Sequence, residues 1–292
     1  MYLIVGASGF IGNRLYRSLK RRRDKVKGTY FLNNKNIDPD DAIYLNLEKS
    51  EFGRNDGADP VKYVVLCHGI PGIDRCKLER DKTSKVNVEN TVNYLRTFDP
   101  KVTVPLMLST NLVYNGKDAF PVEDDNPDPI VEHGRQKLEV ERFIEERFPR
   151  HIILRLTKMF GIQKNDGTIF TSWLDRFEKR ETVLATDDLF ISPLYVDDII
   201  AVLLALMDKD LSGKYNLGGR QVESIHWFCK WVAARFAVPE NLVRRVSAGD
   251  LGFVETRPKY NSLCSERVLA ATEVKLTDYE KSFDLMAKNY GK

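Results

Sequence analysis

The 292-residue sequence is short of everything that would mark a stapled, metal-bound or membrane-spanning chain. Its four cysteines, Cys67, Cys76, Cys229 and Cys264, are widely spaced with no C-x-x-C pair, and its four histidines show no ligand-like spacing beside them. Neither a disulfide framework nor a metal site is expected, and the thiols read as buried core residues. No apolar run approaches the ~20 residues of a membrane span, and the chain opens directly into a strand-like segment without a signal peptide. A cytoplasmic protein with no membrane partner is expected. Excess charge is missing too: 45 Lys and Arg against 42 Asp and Glu leave a net of +3, too balanced to argue for nucleic acid. No internal repeat or low-complexity segment interrupts the chain. What remains is a length that can bury a large core, and a small-molecule partner.

Short β-branched runs alternate with amphipathic stretches, which predicts an α/β fold built on a doubly wound parallel sheet of the Rossmann type. Strands are expected at 2–5, 26–31, 42–45, 62–67, 104–109 and 151–156. Helical spacing appears at Ile11, Leu15 and Leu19, through "SKVNVENTVNYLRTF", and at Leu138, Phe143 and Ile144. Beyond residue 160 the rhythm changes to "TIFTSWLDRFEK", "YVDDIIAVLLALMD" and "SIHWFCKWVAARF", with short strands such as "GKYNLGG" between them. The expected division is a dinucleotide-binding domain over 1–160, rejoined by about 195–220, and a smaller mixed α/β lobe over most of 161–292.

The segment "GASGFIG" sets Gly6, Gly9 and Gly12 directly after the first strand and at the mouth of the first helix. Glycines let the backbone turn and approach a pyrophosphate, whose charge meets free N–H groups at the helix N-terminus. A nicotinamide dinucleotide is the expected cofactor. An NAD site would place a carboxylate after the second strand, but "GTYFLNNKN" has none before Asp38, while Arg14 and Lys35 are available to a 2′-phosphate. NADP(H) is therefore favoured over NAD(H). The cluster "KRRRDK" at the far end of the first helix reads as a solvated, dipole-complementing end.

Three further segments, "LSTNLVYNG", "HGRQK" and "ETRPKYNSLCSERV", stand in an order that resembles the extended short-chain dehydrogenase/reductase superfamily. The last of them and "STNLVYNG" are similar to elements of the dTDP-4-dehydrorhamnose reductases, so the resemblance covers roughly residues 1–270. It implies reduction of a nucleotide-linked 4-keto sugar. It also implies that Gly6, Ser8, Gly9, Phe10, Ile11 and Gly12 hold the cofactor phosphates, that Cys67, His68 and Gly69 line the ribose wall, and that Asn87 steadies the central helix. Thr110 would hold the substrate carbonyl, Lys137 would bind the nicotinamide ribose, and Ser109, Asn111 and Arg257 would contact substrate. Arg257 suits a diphosphate because guanidinium matches phosphate bidentately; an ion pair with Glu255 or a neighbour is the plainer alternative.

One residue departs from this pattern. The family's proton donor is a tyrosine one helical turn before the lysine, and His133 occupies that position. Imidazole exchanges protons near neutral pH, but it reaches roughly 2 Å less far than a phenol, and about 1 Å of misplacement can cost a hundredfold. A bridging water, a deeper substrate, or binding without chemistry are the three outcomes left open. Tyr114 is a weaker candidate donor. Asn111 and Leu112 after Thr110 argue against a dehydratase, which needs an acid–base pair there. A sugar-nucleotide epimerase of the same superfamily remains a further alternative, but epimerases also depend on the tyrosine, and "RPKYNSL" fits the reductases better. Asp197 and Asp198 read as helix-start residues. The regulatory subunit of methionine adenosyltransferase is also similar to these reductases, so a non-catalytic protein that binds a partner, or a homodimer, remains an alternative.

Overall fold

A computed structural model of the chain describes residues 1–34, 36–52 and 59–291. The six anticipated strands are β1 (Tyr2–Val5), β2 (Val26–Tyr30), β3 (Ala42–Asn46), β5 (Tyr63–Leu66), β6 (Val104–Thr110) and β7 (Ile152–Leu156), each within a residue or two of its expected bounds. Two more complete the central sheet. A short β4 (Glu51–Phe52) pairs antiparallel with β3 at one edge, and β12 (Gly213–Leu217) pairs parallel with β7 at the other. The order is β12-β7-β6-β5-β1-β2-β3-β4, with every pair but the last parallel. Between β7 and β12 the chain forms β8 (Met159–Phe160), β9 (Val183–Thr186), β10 (Phe190–Ile191) and β11 (Leu194–Tyr195). After β12 come β13 (Glu223–Ser224), β14 (Val243–Val246) and β15 (Tyr260–Asn261), which join the preceding four in small two- and three-stranded sheets.

Because side chains alternate along a strand, the sheet buries two separate faces. Ile4, Val65, Leu106 and Leu154 face α1 (Phe10–Arg21), and the same apolar cluster continues into α6 (Ile169–Glu178), α7 (Val196–Asp208), α8 (Ile225–Arg235) and α10 (Tyr279–Asn289). Leu3, Val64, Leu66, Met107 and Ile153 face the other way, onto Tyr94 and Leu95 of α4 (Asn90–Leu95) and Val140 and Ile144 of α5 (Glu132–Arg147). The C-terminal helices therefore share one core with the sheet. The long helix anticipated through "SKVNVENTVNYLRTF" is instead α3 (Arg80–Ser84), a π turn over Lys85–Glu89, and α4. Such a turn shifts the side-chain register within a helix and often marks a functional position. Here it carries Asn87, which reaches back to the loop after β5. α2 (Ile73–Leu78) precedes it, and α9 (Glu266–Thr272) follows β15.

Among the four cysteines, Cys76 and Cys229 are buried and Cys67 and Cys264 are partly exposed; all are free. Among the described residues no helix is long and apolar enough to cross a membrane, and no group of three or more His, Cys, Asp or Glu is arranged to hold a metal.

Candidate active site

The C-terminal ends of β1, β5 and β6 converge, as open parallel sheets require of a ligand crevice. At the first of them, Gly6 turns the chain with a φ of +85°. Its N–H donates to Thr29 Oγ1 at 2.9 Å, tying the loop to β2. Gly9 N–H donates to Gly6 O at 3.0 Å and Gly9 then caps α1 without offering any side-chain acceptor. The first-turn N–H groups of α1 consequently stay open to an anion. A Cβ on Gly12 would lie 2.3 Å from Gly6 O, so the loop can fold this tightly only with glycine there. Ser8 and Phe10 are partly exposed in this cradle, whereas the Ile11 side chain is buried in the core and can offer only its backbone. The cradle fits the diphosphate of a dinucleotide.

One expectation about the adenosine end changes. Arg14 lies 3.9 Å above the Phe10 ring, donates to Phe10 O at 3.0 Å and stands 3.8 Å from Asp197 of α7, so it is engaged by Phe10 and Asp197. Lys35 lies outside the described residues. The "KRRRDK" end of α1 is largely spent in ion pairs, Lys20 with Asp38 and Asp41, Arg22 with Asp24 and Asp208.

The wall after β5 is built from Cys67, His68 and Gly69. Thr91 Oγ1 donates its proton to Val86 O at 2.8 Å, so the 2.7 Å contact from His68 Nε2 must be a donation to that hydroxyl. His68 Nδ1 is then an unprotonated nitrogen, buried with no partner. Burial, and secondarily Lys137, push the His68 pKa down to about 3, and burial pushes the Cys67 thiol up to about 12. Both groups are neutral at physiological pH. Gly69, at φ +139°, lets Asn87 close on the next residue: its Oδ1 accepts from Ile70 N–H at 2.7 Å and its Nδ2 donates to Ile70 O at 3.1 Å and to Gln136 Oε1 at 2.9 Å.

α5 brings the remaining groups in. Its N-terminus is capped from far along the chain, the buried Glu255 carboxylate accepting from Glu132 N–H at 3.1 Å. Gly134 lets it lie directly on the turn after Thr110, since a Cβ there would sit 2.0 Å from Leu112 O. His133, Lys137 and Glu141 follow one another at helical spacing on one stripe. Glu141 is fully buried and pairs with Arg155 of β7 at 2.6 Å, while also accepting from Ser109 Oγ. Lys137 Nζ donates to Leu108 O at 3.0 Å, and burial lowers its pKa, with Cys67, Glu141 and Cys76 opposing. His133 Nδ1 lies 3.3 Å from Cys76 Sγ of α2. Burial, then Lys137, push the His133 pKa down to about 4, so it stands as neutral imidazole. Thr110 is partly exposed, and its hydroxyl accepts from Leu112 N–H at 3.2 Å while keeping a proton to donate.

Other anticipated contacts point elsewhere. Ser109 faces α5 and is consumed by Glu141, because alternation along β6 sets it opposite Thr110. Asn111 is buried and donates to Asn261 Oδ1 of β15 at 3.2 Å, joining sheet to C-terminal region. Tyr114 is buried, accepting from Arg155 at 2.6 Å and donating to Val122 O at 2.7 Å, so it is no proton donor for the cleft. Arg257 is paired bidentately with Asp74 of α2, both bonds 2.7 Å, and stacks over Phe253 at 4.0 Å. Glu255 contributes only its carbonyl to that guanidinium, at 3.4 Å. Asp197 accepts from Tyr195 and Asp198 from Thr277, both in the first turn of α7.

A family model described as "RmlD substrate binding domain" matches residues 1–291. The chain belongs to that family. Within or beside the RmlD family, the chain is similar to a probable low-salt glycan biosynthesis reductase of Haloferax volcanii, 24% identical over 96% of this chain and 99% of that protein. It is similar to a dTDP-4-dehydrorhamnose reductase of Aggregatibacter actinomycetemcomitans, 25% identical over 96% of each chain. Methionine adenosyltransferase 2 subunit beta of Danio rerio is 21% identical over 96% of this chain and 88% of its own length. The RmlD-family fold itself is matched by a Bacillus anthracis dTDP-4-dehydrorhamnose reductase crystallised with NADP, with a TM-score of 0.79 at 20% identity, covering 97% of this chain and 96% of that one.

Proposed function

We propose that this RmlD-family chain is an NAD(P)H-dependent reductase of a nucleotide-linked 4-keto sugar, akin to dTDP-4-dehydrorhamnose reductase. The observation that carries the reading is a convergence: the glycine cradle and open N-terminus of α1 stand at the same sheet end as the His133, Lys137 and Thr110 groups. The bound cofactor would supply hydride. Gly6, Ser8, Gly9, Phe10, Ile11 and Gly12 would hold its phosphates through backbone N–H groups, with Cys67, His68 and Gly69 as its wall. Lys137, anchored on Leu108 O, would orient the ribose, Thr110 would donate to the substrate carbonyl, and His133 would deliver the proton. NADP(H) is favoured by the lack of a carboxylate in the four residues after β2, Phe31 to Asn34. Arg257 would serve the diphosphate only by exchanging Asp74 for it.

A second reading is favoured by one observation: a neutral imidazole stands where the family has its phenol. On it the chain binds nicotinamide cofactor and acts on a partner protein without turnover. The test is NADPH oxidation with a dTDP-4-keto sugar by wild type, His133→Ala and His133→Tyr. Turnover by wild type that is lost in His133→Ala supports the reductase. Turnover by His133→Tyr alone supports the binding protein.

A further inference from the structure

A neutral histidine makes a poor acid by itself, because giving up its only N–H proton would leave an imidazolate. Something must refill the ring as the proton leaves. In this structure His133 Nδ1 faces the thiol of Cys76, which is fully buried, carried on α2, and 57 residues away in sequence. The ring's other nitrogen, Nε2, has no partner among the described residues and is not among the buried unpaired atoms, so it is accessible to a ligand.

We propose that Cys76 is a positioning and relay residue for His133: its S–H donates to Nδ1, fixing the tautomer whose Nε2–H faces the substrate oxygen, and refills the ring as that proton departs. The proposal rests on the reductase reading above. When a hydride reaches the keto carbon, the carbonyl π pair moves to oxygen. That oxygen takes the Nε2 proton, the S–H bond breaks, and the proton passes to Nδ1. The balance is a carbinol, a neutral imidazole protonated on Nδ1, and a thiolate at Cys76. The cycle closes when solvent returns a proton through the cleft.

Three features of the site agree with this direction. The Sγ to Nδ1 contact, 3.3 Å, is shorter than the 3.5 Å from Cys76 to its other acceptor, Ile70 O, and imidazole nitrogen is the more basic of the two. A thiol is far more acidic than the alcohol formed, so the transfer runs downhill. Burial pushes the Cys76 thiol up to about 11, close to the ~10 of an ordinary phenol. The thiol thus holds its proton at rest, as the family's tyrosine does. A hydrogen bond from Thr83 and, less strongly, Lys137 favour the thiolate, whereas Glu132 and Glu255 oppose it.

The test begins on the cofactor-free protein labelled with 15N-histidine, with His133→Ala to assign the ring. The expected spectrum shows His133 Nε2 protonated and Nδ1 as an acceptor, and Cys76→Ala lets the Nδ1–H form appear. An Nδ1–H form already dominant in wild type, or a spectrum unchanged in Cys76→Ala, overturns the proposal whether or not the chain turns over any sugar. In the assay with a dTDP-4-keto sugar, Cys76→Ala is expected to lower kcat at least about tenfold with NADPH affinity kept, and Cys76→Ser to restore part of it. The same substitution should cost several-fold less in a His133→Tyr background. Equal losses in both backgrounds would mean that Cys76 only packs.

Discussion

The two ends of the cleft are made of different material. The proposed phosphate end is backbone: three glycines, a helix N-terminus, and one hydroxyl from β2. The proposed proton end is side chain: His133 on Cys76, Lys137 on Leu108 O, Glu141 on Arg155, with α5 capped by Glu255. A backbone site needs only the right local φ and the absence of a Cβ, so it tolerates wide change around it. A side-chain site depends on partners from distant segments, and one changed residue can alter its chemistry while leaving its scaffold intact. On the proposed reading, that is how a histidine could take the proton donor's place while α5 keeps its scaffold.

The contrast can be broken most severely at the proton end. Replacing Arg155 by Met leaves Glu141 as an unpaired buried carboxylate and should cost about 3–5 kcal/mol in urea unfolding, whereas Arg155→Met with Glu141→Leu should recover most of it. Lys137→Met should lower reductase turnover about a hundredfold with little change in melting temperature. At the phosphate end, Gly12→Ala drives a Cβ into Gly6 O, and NADPH affinity should fall at least about tenfold, or ~1.4 kcal/mol. The nuclear resonances of His133 should not move in that variant; if they do, the two ends are coupled. The mildest probe is pH. His133 and His68 titrate near 4 and 3 in the folded chain, below the ~6.5 of an unfolded histidine. Between those values the unfolded chain binds more protons, so stability should fall as pH drops from about 6.5 towards 4. His133→Gln should flatten that slope, and an equally steep slope would show that His133 is not held neutral.

How much of this was readable beforehand follows the same division. The glycine spacing announced the tight turn into α1 because Gly6 and Gly12 answer local backbone demands. The strands were legible from β-branched runs, but β6 is buried on both faces and shows no alternation, so Ser109 and Asn111 were assigned to the cleft when they are committed to Glu141 and Asn261. The π turn had no signal in an unbroken helical period. Arg257 was a sound candidate by chemistry, yet its partner Asp74 lies 183 residues away. Cys76 went unnoticed because it read as a buried core thiol, and nothing local ties it to His133. Gly134, beside His133, had a local clue: a glycine inside a helix usually marks a close approach, here to Leu112 O.

The claim at the centre is that hydride passes from a nicotinamide held on the α1 cradle to a sugar carbonyl beside His133. Incubating the protein with NADPH deuterated at the transferable nicotinamide position and a dTDP-4-keto sugar, then weighing the sugar by mass spectrometry, reads that transfer directly. The expected product is a carbinol carrying the deuterium, absent with His133→Ala. Recovery of unlabelled keto sugar from protein saturated with cofactor would contradict the account.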